Sequence, residues 1–227
     1  LYRHYEFSTR VVRVERDGDG WQVTTEREGE TQSRHFDGVL IANGTLHTPN
    51  QPSLPGKFEG ELMHSCQYRD PSVFDGKRVL IVGCGNSACD IAVDAVHRAT
   101  NVDLSVRRGY YFLPKFIGGK PTDSLGGRIK LPRALKQRLD ALLIRFIVGS
   151  PSDYGLPDPA YKMYESHPVI NSLVLYHLGH GDITPHGDIV GVVGKTVTFA
   201  DGQSRVYDLI LMATGYKLDY PFIDAAE

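Results

Sequence analysis

The stretch that most constrains the fold of this chain is VLIVGCGNSACDIA, residues 79–92. It begins as an apolar run typical of a buried strand, passes through a glycine-rich turn and ends in a helical pattern. Gly83, Gly85 and Ala88 form a G-x-G-x-x-A pattern between that strand and that helix. In this context the pattern predicts a dinucleotide-binding turn rather than a plain turn, which is the alternative.

Each small residue of this turn has a predicted task. Gly83 permits the tight turn, Gly85 lets a pyrophosphate approach the backbone, and Ala88 lets the helix pack closely on the strand. The anion would be bound by backbone N–H groups at the positive end of the helix. We therefore predict cofactor contacts along the whole turn, at Gly83, Cys84, Gly85, Asn86, Ser87 and Ala88.

The end of the next predicted strand, NVDLSVRR, indicates which dinucleotide binds. An NAD site carries an Asp or Glu about 20 residues after the glycine turn, where it accepts a hydrogen bond from the ribose 2′-OH. Here Arg107 and Arg108 stand at the strand end, whereas Asp103 comes too early. Two guanidinium groups can clamp a 2′-phosphate, so NADPH is the predicted cofactor. The alternative is that both arginines only coat a strand end.

The bulk composition excludes several classes of protein. The 227 residues are 41% hydrophobic and carry a formal net charge of -2, so the chain can bury a core and offers no broad cationic field for nucleic acid. Three cysteines without metal-ligand spacing favour free thiols in a reducing, cytoplasmic setting. The best apolar run, ALLIRFIV, is too short for a membrane span and contains Arg145. The chain opens directly in a strand pattern, which suggests an excerpt of a longer protein.

Strand patterns lie at both ends of the chain. Runs at 5–14, 20–25 and 35–42 predict a three-stranded meander, whose last part, GVLIA, is apolar enough to be buried. The proline-rich segment HTPNQPSLPG then predicts a connection between domains. Residues 77–82, 87–99 and the NVDLSVRR strand form a predicted βαβ unit. Near the C-terminus, DIVGVV, KTVTFA and VYDLILMATG predict three more strands, and LILMATG resembles VLIANG at residues 39–44.

A predicted helix opens at Pro132 and closes before Gly149. Its pattern is amphipathic, which suits a membrane-surface or partner-binding element, although packing on its own domain is the favoured interpretation. The predicted apolar face consists of Leu135, Leu139, Leu142, Leu143, Phe146 and Ile147.

Several motifs together resemble one family. FEGELMHSCQY fits F-x-G-x-x-x-H-x-x-x-Y through Phe58, Gly60, His64 and Tyr68, and it resembles the signature of flavin-containing monooxygenases, the class B flavoproteins. The order of LPGKFEG, the signature, the glycine turn, SVRR and ATGY is also similar to that family, and nearly the whole chain is covered. Related Baeyer-Villiger monooxygenases usually place Trp where this chain has Tyr68, a departure that favours the branch that oxygenates nitrogen and sulfur.

The resemblance implies an α/β fold in which a Rossmann-like NADPH-binding domain is inserted into an FAD-binding domain. Only the β-meander and the return strand of the FAD-binding domain would be present in this chain. The implied boundaries are 1–50 for the remainder of the FAD-binding domain, 51–213 for the NADPH-binding domain with the signature and the 132–148 helix, and 214–227 for the return. A second glycine turn, which holds FAD in the family, would lie upstream of Leu1.

The implied reaction uses NADPH to reduce FAD, which takes up O2 as a C4a-hydroperoxyflavin and oxygenates a small-molecule nitrogen or sulfur nucleophile. No catalytic side chain and no metal ligand is assigned. A Baeyer-Villiger monooxygenase and a nucleotide-binding module without turnover remain as alternatives. The fragment is expected to be inactive alone.

The remaining predicted cofactor contacts lie outside the glycine turn. His64 could relay protons, but a hydrogen-bond donor at the hinge is the favoured interpretation, and Tyr68 is expected to pack or to hydrogen-bond beside the cofactor. The resemblance places a backbone contact to FAD at Val11. Backbone contacts are also expected where apolar strands end, although plain turns are equally compatible with these positions. They are Asn43, Gly44, Thr214 and Gly215.

Two further groups contain residue types that can be reactive or can bind metal. Cys84 and Cys89 are not in C-x-x-C spacing, so both are expected to be packing residues. His177 and His180 form half of a metal motif without acidic or cysteine partners, which favours a turn over a zinc site.

Overall fold

A computed structural model of the protein describes residues 2–122 and 132–224. The chain divides into two compact units, a first unit of residues 1–48 with 216–227 and a second unit of residues 49–215. The β-strands of the described residues are β1 Arg10–Asp17, β2 Gly20–Arg27, β3 Glu30–Phe36, β4 Thr48–Pro49, β5 Gly56–Phe58, β6 Glu61–His64, β7 Arg78–Val82, β8 Asn101–Ser105, β9 Phe116–Ile117, β10 Lys120–Pro121, β11 Ile183–His186, β12 Ile189–Gly194, β13 Thr196–Phe199, β14 Ser204–Val206, β15 Leu209–Met212 and β16 Tyr216–Lys217. The α-helices are α1 Asn86–Val96, α2 Arg133–Val148 and α3 Leu173–His180.

The first unit is built on the expected meander, in which β1, β2 and β3 pair antiparallel. The strand bounds differ from the predicted ones, because the first strand begins at Arg10 and the third spans Glu30–Phe36. The predicted burial of GVLIA is wrong for this structure: Leu40 is 97% exposed and Ile41 is 43% exposed. An apolar run becomes a strand only where neighbouring strands bond to its backbone, and no described strand pairs with residues 38–42.

The second unit contains a parallel sheet in the order β11-β8-β7-β15-β6. This sheet confirms the predicted βαβ unit, because α1 connects the parallel strands β7 and β8. Its central strands β7 and β15 are apolar on both faces, and Val79, Leu80 and Ile81 of β7 are completely buried. That pattern is typical of a parallel sheet that is covered on both sides.

Two different layers cover the parallel sheet. On one face α1 packs through small residues, including Ala88, Ala92 and Ala95, which permit a close approach of helix and sheet. On the other face, Leu80 and Ile210 pack with Phe199 of a four-stranded sheet in the order β14-β13-β12-β5. The unit is therefore a three-layer α/β structure, which agrees with the predicted α/β class.

The predicted strand VYDLILMATG is two strands in the structure. β14 pairs antiparallel with β13, whereas β15 lies in the parallel sheet between β6 and β7. The chain passes from one sheet to the other at Tyr207 and Asp208, whose N–H groups bond to the carbonyls of Lys195 and Arg78. The predicted strand is therefore divided because its first residue pairs with β13 and its later residues pair with β6 and β7.

The α2 helix has the predicted bounds and packs on its own unit, as expected, but not through the predicted apolar face. Its buried residues are Gln137 and Ile144, and Ile144 packs with Leu113 and Met163. The predicted apolar face is instead exposed in the described structure: Leu135 46%, Leu139 46%, Leu142 66%, Leu143 52%, Phe146 89% and Ile147 46%. Among the described residues, no helix is long and apolar enough to cross a membrane.

Candidate functional site

One edge of the parallel sheet brings most of the predicted site residues together. The last residues of the five strands, His64, Met212, Val82, Ser105 and His186, lie side by side in register. The segments that follow them therefore leave the sheet at a common edge. In open α/β sheets this carboxyl edge is where ligands bind.

The glycine turn is held between two neighbouring strands at this edge. The Gly83 N–H donates to the carbonyl of Ser105 at 3.0 Å, and the Ala213 N–H donates to the carbonyl of Val82 at 2.9 Å. Gly83 has a φ of +119°, and a Cβ there would lie 2.5 Å from the carbonyl oxygen of Ala213. Only glycine fits this position, as the sequence predicted from the tight turn.

Gly85 differs from Gly83 because it faces open space. A Cβ at Gly85 would meet no atom within 4 Å, and its φ of -80° is accessible to any residue. Gly85 is also the N-cap of α1, and no side chain caps the helix there. The first intrahelical bond runs from the Cys89 N–H to the Gly85 carbonyl at 3.0 Å. By helix geometry the N–H groups of residues 86–88 have no acceptor within α1, and such groups are the donors that an anion site at a helix start requires.

Three predicted side chains of the turn are either buried or hydrogen-bonded within the protein. Cys84 and Ala88 are buried. The Asn86 Oδ1 accepts from the Ile170 N–H at 2.8 Å, and its Nδ2 donates to the Pro168 carbonyl at 3.5 Å. Cys84 and Ala88 can therefore contact a ligand through the backbone only, whereas Asn86 and Ser87 are exposed.

The structure supports the packing role expected for the two cysteines. Cys84 and Cys89 are both buried, with their sulfur atoms 4.0 Å apart. The contact with Cys84 and the burial of the thiol raise the pKa of Cys89 well above its usual value. Cys89 is therefore held as a neutral thiol, and a thiolate is the reactive form of cysteine.

The two arginines after β8 have different surroundings. Both are exposed and follow Ser105, the residue whose carbonyl binds Gly83. Arg108 donates through Nε to the Tyr110 hydroxyl at 3.1 Å, and its guanidinium lies 5.2 Å from the centre of that ring. Arg107 has no hydrogen-bond or ion-pair partner among residues 2–122 and 132–224. Arg107 is therefore the cation available to a ligand.

Asp103 is excluded as the ribose-binding carboxylate by its position within the sheet. It is fully buried in the middle of β8. It accepts hydrogen bonds from the Asn101 Nδ2 at 2.7 Å and from the Tyr207 hydroxyl at 2.5 Å, and the His186 Nε2 lies 3.2 Å away. Burial and the bond to Asp103 raise the pKa of Tyr207. The residues that follow β8 at the sheet edge are therefore the cations Arg107 and Arg108, and the one carboxylate of β8 does not reach this edge.

His64 acts as a buried hydrogen-bonding bridge. Its Nδ1 accepts from the Cys66 N–H at 3.2 Å, and its Nε2 lies 3.1 Å from the carbonyl of Gly215. With Nδ1 as an acceptor, the neutral ring carries its proton on Nε2 and donates it to that carbonyl. This geometry supports the predicted donor role, because His64 fixes the position of Gly215 at the end of the second unit.

Tyr68 packs and hydrogen-bonds on the helix side of the sheet. Its hydroxyl donates to the Asp94 carboxylate at 2.8 Å, and its ring stacks on Phe74 with 5.5 Å between centroids. Burial, followed by the bond to Asp94, raises the pKa of Tyr68. Tyr68 is therefore held in its neutral form.

Thr214 and Gly215 are fixed by Asn50. The Thr214 hydroxyl donates to the Asn50 carbonyl, the Asn50 Nδ2 donates to the Thr214 carbonyl at 3.3 Å, and the Asn50 N–H donates to the Gly215 carbonyl at 3.0 Å. Gly215 is exposed and has a φ of +83°. This loop lies at the same sheet edge as the glycine turn, because it follows β15.

Three predicted contacts belong to the first unit. Val11 lies on β1 beside a register shift and is 39% exposed. Asn43 and Gly44 lie in an exposed segment without strand structure, where Gly44 has a φ of +77°. The structure therefore groups the predicted contacts into two sets, one in each unit.

The sequence reasoning missed one segment of the site. Residues 168–171 are fastened to the start of α1, where Asn171 Nδ2 donates to Asp90 at 2.7 Å and Asn171 Oδ1 accepts from the Val174 N–H at 2.9 Å. Asn86 binds the same segment. No periodicity or motif spacing identifies such a long-range contact.

Known families provide an independent comparison. A family model described as "Flavin-binding monooxygenase-like" matches residues 1–226. Flavin-containing monooxygenase 5 of Cavia porcellus is 34% identical over 243 residues, a match that covers 99% of this chain and 45% of the relative. The chain belongs to the flavin-binding monooxygenase-like family, and it spans about half the length of the relatives it matches.

Solved structures of low sequence identity share the fold. A flavin-containing monooxygenase from Stenotrophomonas maltophilia has a TM-score of 0.68 at 19% identity, with 98% of this chain and 54% of that chain covered. Cyclohexanone monooxygenase from Rhodococcus sp. Phi1, solved bound to NADP+, has a TM-score of 0.68 at 20% identity, with 96% and 53% covered. The fold is therefore shared with a protein named as a flavin-containing monooxygenase and with one named as a cyclohexanone monooxygenase.

Proposed function

We propose that this chain is the NADPH-binding portion of an NADPH- and FAD-dependent monooxygenase that oxygenates nitrogen or sulfur in small molecules with O2. The observation that carries the proposal is the arrangement at the edge of the parallel sheet. There no side chain caps the start of α1 at Gly85. Arg107, which has no partner among the described residues, follows β8, whose Ser105 carbonyl binds Gly83. Membership of the flavin-binding monooxygenase-like family supports the reaction class.

The residues at this edge fit the proposed cofactor. The open space at Gly85 admits a pyrophosphate close to the backbone, and the N–H groups of Asn86, Ser87 and Ala88 provide the donors. Arg107 would bind the 2′-phosphate through a charge-assisted hydrogen bond, with Arg108 beside it on Tyr110. NADP+ in the Rhodococcus cyclohexanone monooxygenase structure is consistent with this choice.

The proposed domain arrangement follows the boundaries implied by the resemblance. Residues 1–50 and 214–227 would belong to an FAD-binding domain, and residues 51–213 would form the inserted NADPH-binding domain. The division of the chain into units at 48/49 and 215/216 supports this arrangement. Residues 225–227 lie outside the described residues. The exposed apolar run 38–42 would then pair with strands of the FAD-binding domain that this chain does not contain.

The protein side chains serve binding and positioning in this proposal. When bound, the two cofactors supply the reducing equivalents and the activation of O2 that side chains lack. His64 holds the Gly215 carbonyl at the end of the second unit, and Tyr68 anchors the signature segment to α1 through Asp94. Neither residue is assigned a proton-transfer role, so no catalytic side chain is proposed.

Arg107 gives the sharpest test of the proposed cofactor. In the full-length protein, Arg107→Ala is expected to reduce the preference for NADPH over NADH by about tenfold or more, the effect of one lost charge-assisted phosphate contact. Arg98→Ala is the matched control, because Arg98 is also exposed but pairs with Asp75 at 3.5 Å. The measurement is kcat/KM for both coenzymes. An unchanged ratio in Arg107→Ala would refute the assignment.

The reaction branch is decided by product analysis. The proposed nitrogen or sulfur oxygenation predicts a sulfoxide from a thioether, whereas the Baeyer-Villiger alternative predicts a lactone from a cyclic ketone. The similarity to cyclohexanone monooxygenase keeps that alternative open, because it reaches a TM-score of 0.68. Exclusive lactone formation would overturn the proposed branch. A full-length protein that purifies without FAD would instead support a nucleotide-binding module without turnover.

A further inference from the structure

A cavity of about 490 Å³ lies between α2, the segment 149–159 and α3. Its wall is mostly apolar and includes Tyr111, Ile144, Val148 and Leu175. This volume is within the range of pockets that enclose small organic ligands. None of the predicted cofactor-binding residues lines the cavity, so a ligand in this cavity would use residues other than those of the proposed coenzyme site.

One stripe of α2 supplies both the charge and part of the wall. Arg138, Ala141, Leu142 and Arg145 line the cavity, and their spacing of three and four residues places them on one helix face. Neither Arg138 nor Arg145 has a hydrogen-bond or ion-pair partner for its side chain within the part of the chain that the structure describes. The cavity therefore combines an apolar interior with two available guanidinium groups.

Three other polar side chains of the cavity, Ser150, Asp158 and Tyr154, are hydrogen-bonded within the protein. The Asp158 carboxylate accepts from the Ser150 hydroxyl at 2.9 Å, and the Tyr154 hydroxyl donates to the Val148 carbonyl at 2.9 Å. Two arginines and one aspartate line the cavity, so its lining is net positive, and Arg138 and Arg145 are the charged groups without an internal partner among the described residues. A ligand that satisfies these groups has an anionic head, which a guanidinium binds in a bidentate manner, and an apolar body.

We propose that this cavity binds a free amphipathic carboxylate of the fatty-acid class. Its carboxylate contacts Arg138 and Arg145, and its hydrocarbon chain lies along Leu142, Ile144 and Val148. Charge complementarity selects a carboxylate over a neutral alcohol of the same length. The volume of about 490 Å³ suits a single small amphiphile, which is why a free carboxylate is proposed as the occupant.

The test uses laurate below its micellar concentration and the full-length protein, with calorimetry as the readout. Laurate is expected to bind with one-to-one stoichiometry, and dodecanol about tenfold or more weaker because it lacks the charge. The double variant Arg138→Gln/Arg145→Gln is expected to lose about tenfold or more in laurate affinity. Arg133→Gln is the control, because Arg133 is an exposed arginine of the same helix that does not line the cavity.

A second pair of variants tests the apolar wall. Ala141→Trp fills the cavity and is expected to abolish laurate binding. Leu142→Gln is expected to weaken it, whereas Leu143→Gln, on a residue outside the cavity lining, is expected to leave it unchanged. The melting temperature of each variant separates lost binding from lost folding.

Three results would overturn the proposal. The first is the absence of laurate binding to the folded protein. The second is an equal loss of affinity in Arg133→Gln and in the double variant. The third is binding to anionic phosphatidylserine vesicles, weakened by the double variant, without binding of free laurate. The last result would make this face a membrane contact.

Discussion

Two nine-residue segments of this protein are nearly alike in sequence and differ completely in structure. FDGVLIANG occupies residues 36–44, and YDLILMATG occupies residues 207–215. Each has an aromatic residue and an aspartate, then an apolar run, then a glycine turn. In the second segment Leu209, Ile210 and Leu211 are completely buried, whereas Leu40 of the first is 97% exposed.

The difference lies in the neighbours of the two segments. Residues 209–212 are β15, which bonds to β6 on one side and to β7 on the other. Residues 38–42 have no pairing strand in the described structure. An apolar run thus specifies where a strand can form, and the ladder partners decide whether it does. The two segments can be compared position by position by substitution.

The largest effect is expected at the paired positions Leu211 and Leu40. Leu211→Asp places a carboxylate in the centre of a buried sheet, which should cost more than about 4 kcal/mol of the free energy of unfolding. Leu40→Asp should change it by less than about 0.5 kcal/mol, because the side chain is already in water. Urea denaturation of the 227-residue chain measures both. Equal losses in the two variants would show that residue 40 is buried.

The same substitution sharpens the comparison in the full-length protein. If residues 38–42 join the proposed FAD-binding domain there, Leu40→Asp becomes strongly destabilising, whereas it is neutral in the 227-residue chain. A neutral Leu40→Asp in the full-length protein would contradict the proposed domain arrangement. Loss of bound FAD, followed by its absorbance, provides a second readout.

The next largest effect concerns Gly83 and Gly85 of the glycine turn, because Gly83 contacts Ala213 of the segment 207–215. Gly83→Ala brings a Cβ to 2.5 Å from the Ala213 carbonyl at a φ of +119°, so a loss of about 2–3 kcal/mol in stability is expected. Gly85→Ala should leave stability nearly unchanged, because nothing lies within 4 Å, but should weaken NADPH binding by filling the phosphate space. Thermal unfolding and coenzyme titration measure the two effects. The reverse assignment of effects would refute the roles given to these glycines.

The smallest effect concerns the aspartate of each segment. Side-chain and backbone hydrogen bonds from Arg78 hold the pKa of Asp208 well below its usual value, whereas Asp37 has no partner among the described residues. Because the pKa of Asp208 is lower in the folded state than in the unfolded chain, its stabilisation is present at neutral pH and is lost as the pH falls below about 4. Its size should be at most about 1 kcal/mol, since the side chain is partly exposed.

Denaturation as a function of pH tests this last prediction. Asp208→Asn should lower stability at pH 7 and reduce the loss of stability between pH 7 and acid conditions. Asp37→Asn should match the wild type throughout. A steeper acid loss in Asp208→Asn than in the wild type would reverse the sign and contradict the Arg78 contact.

Local sequence patterns predicted the parts of the fold that depend on short-range geometry. The β7–turn–α1–β8 unit follows from apolar runs and from Gly83, whose positive φ only glycine tolerates readily. Pro132 and Gly149 bracket α2 for similar local reasons. The sequence also distinguished Arg107 from Asp103, because position along a strand decides which side chains reach the sheet edge.

Long-range contacts account for what the sequence could not predict. The exposure of Leu40, the change of sheet at Tyr207 and the exposed face of α2 all depend on which surfaces meet in three dimensions. Likewise, the hydrogen bonds of the Asn86 side chain with the backbone of Pro168 and Ile170 join residues far apart in the chain. Hydrophobic periodicity identifies an apolar face without identifying what covers it.

The central claim is that the edge carrying the glycine turn and Arg107 binds NADPH, and amide hydrogen exchange tests it most directly. On addition of NADP+ to the full-length protein, exchange should slow at the N–H groups of Asn86, Ser87 and Ala88, which begin α1 without a side-chain cap. NAD+ at the same concentration should give much weaker protection, and Arg107→Ala should remove the difference. Protection that leaves residues 86–88 unchanged, or that is equal for NADP+ and NAD+, would contradict the account.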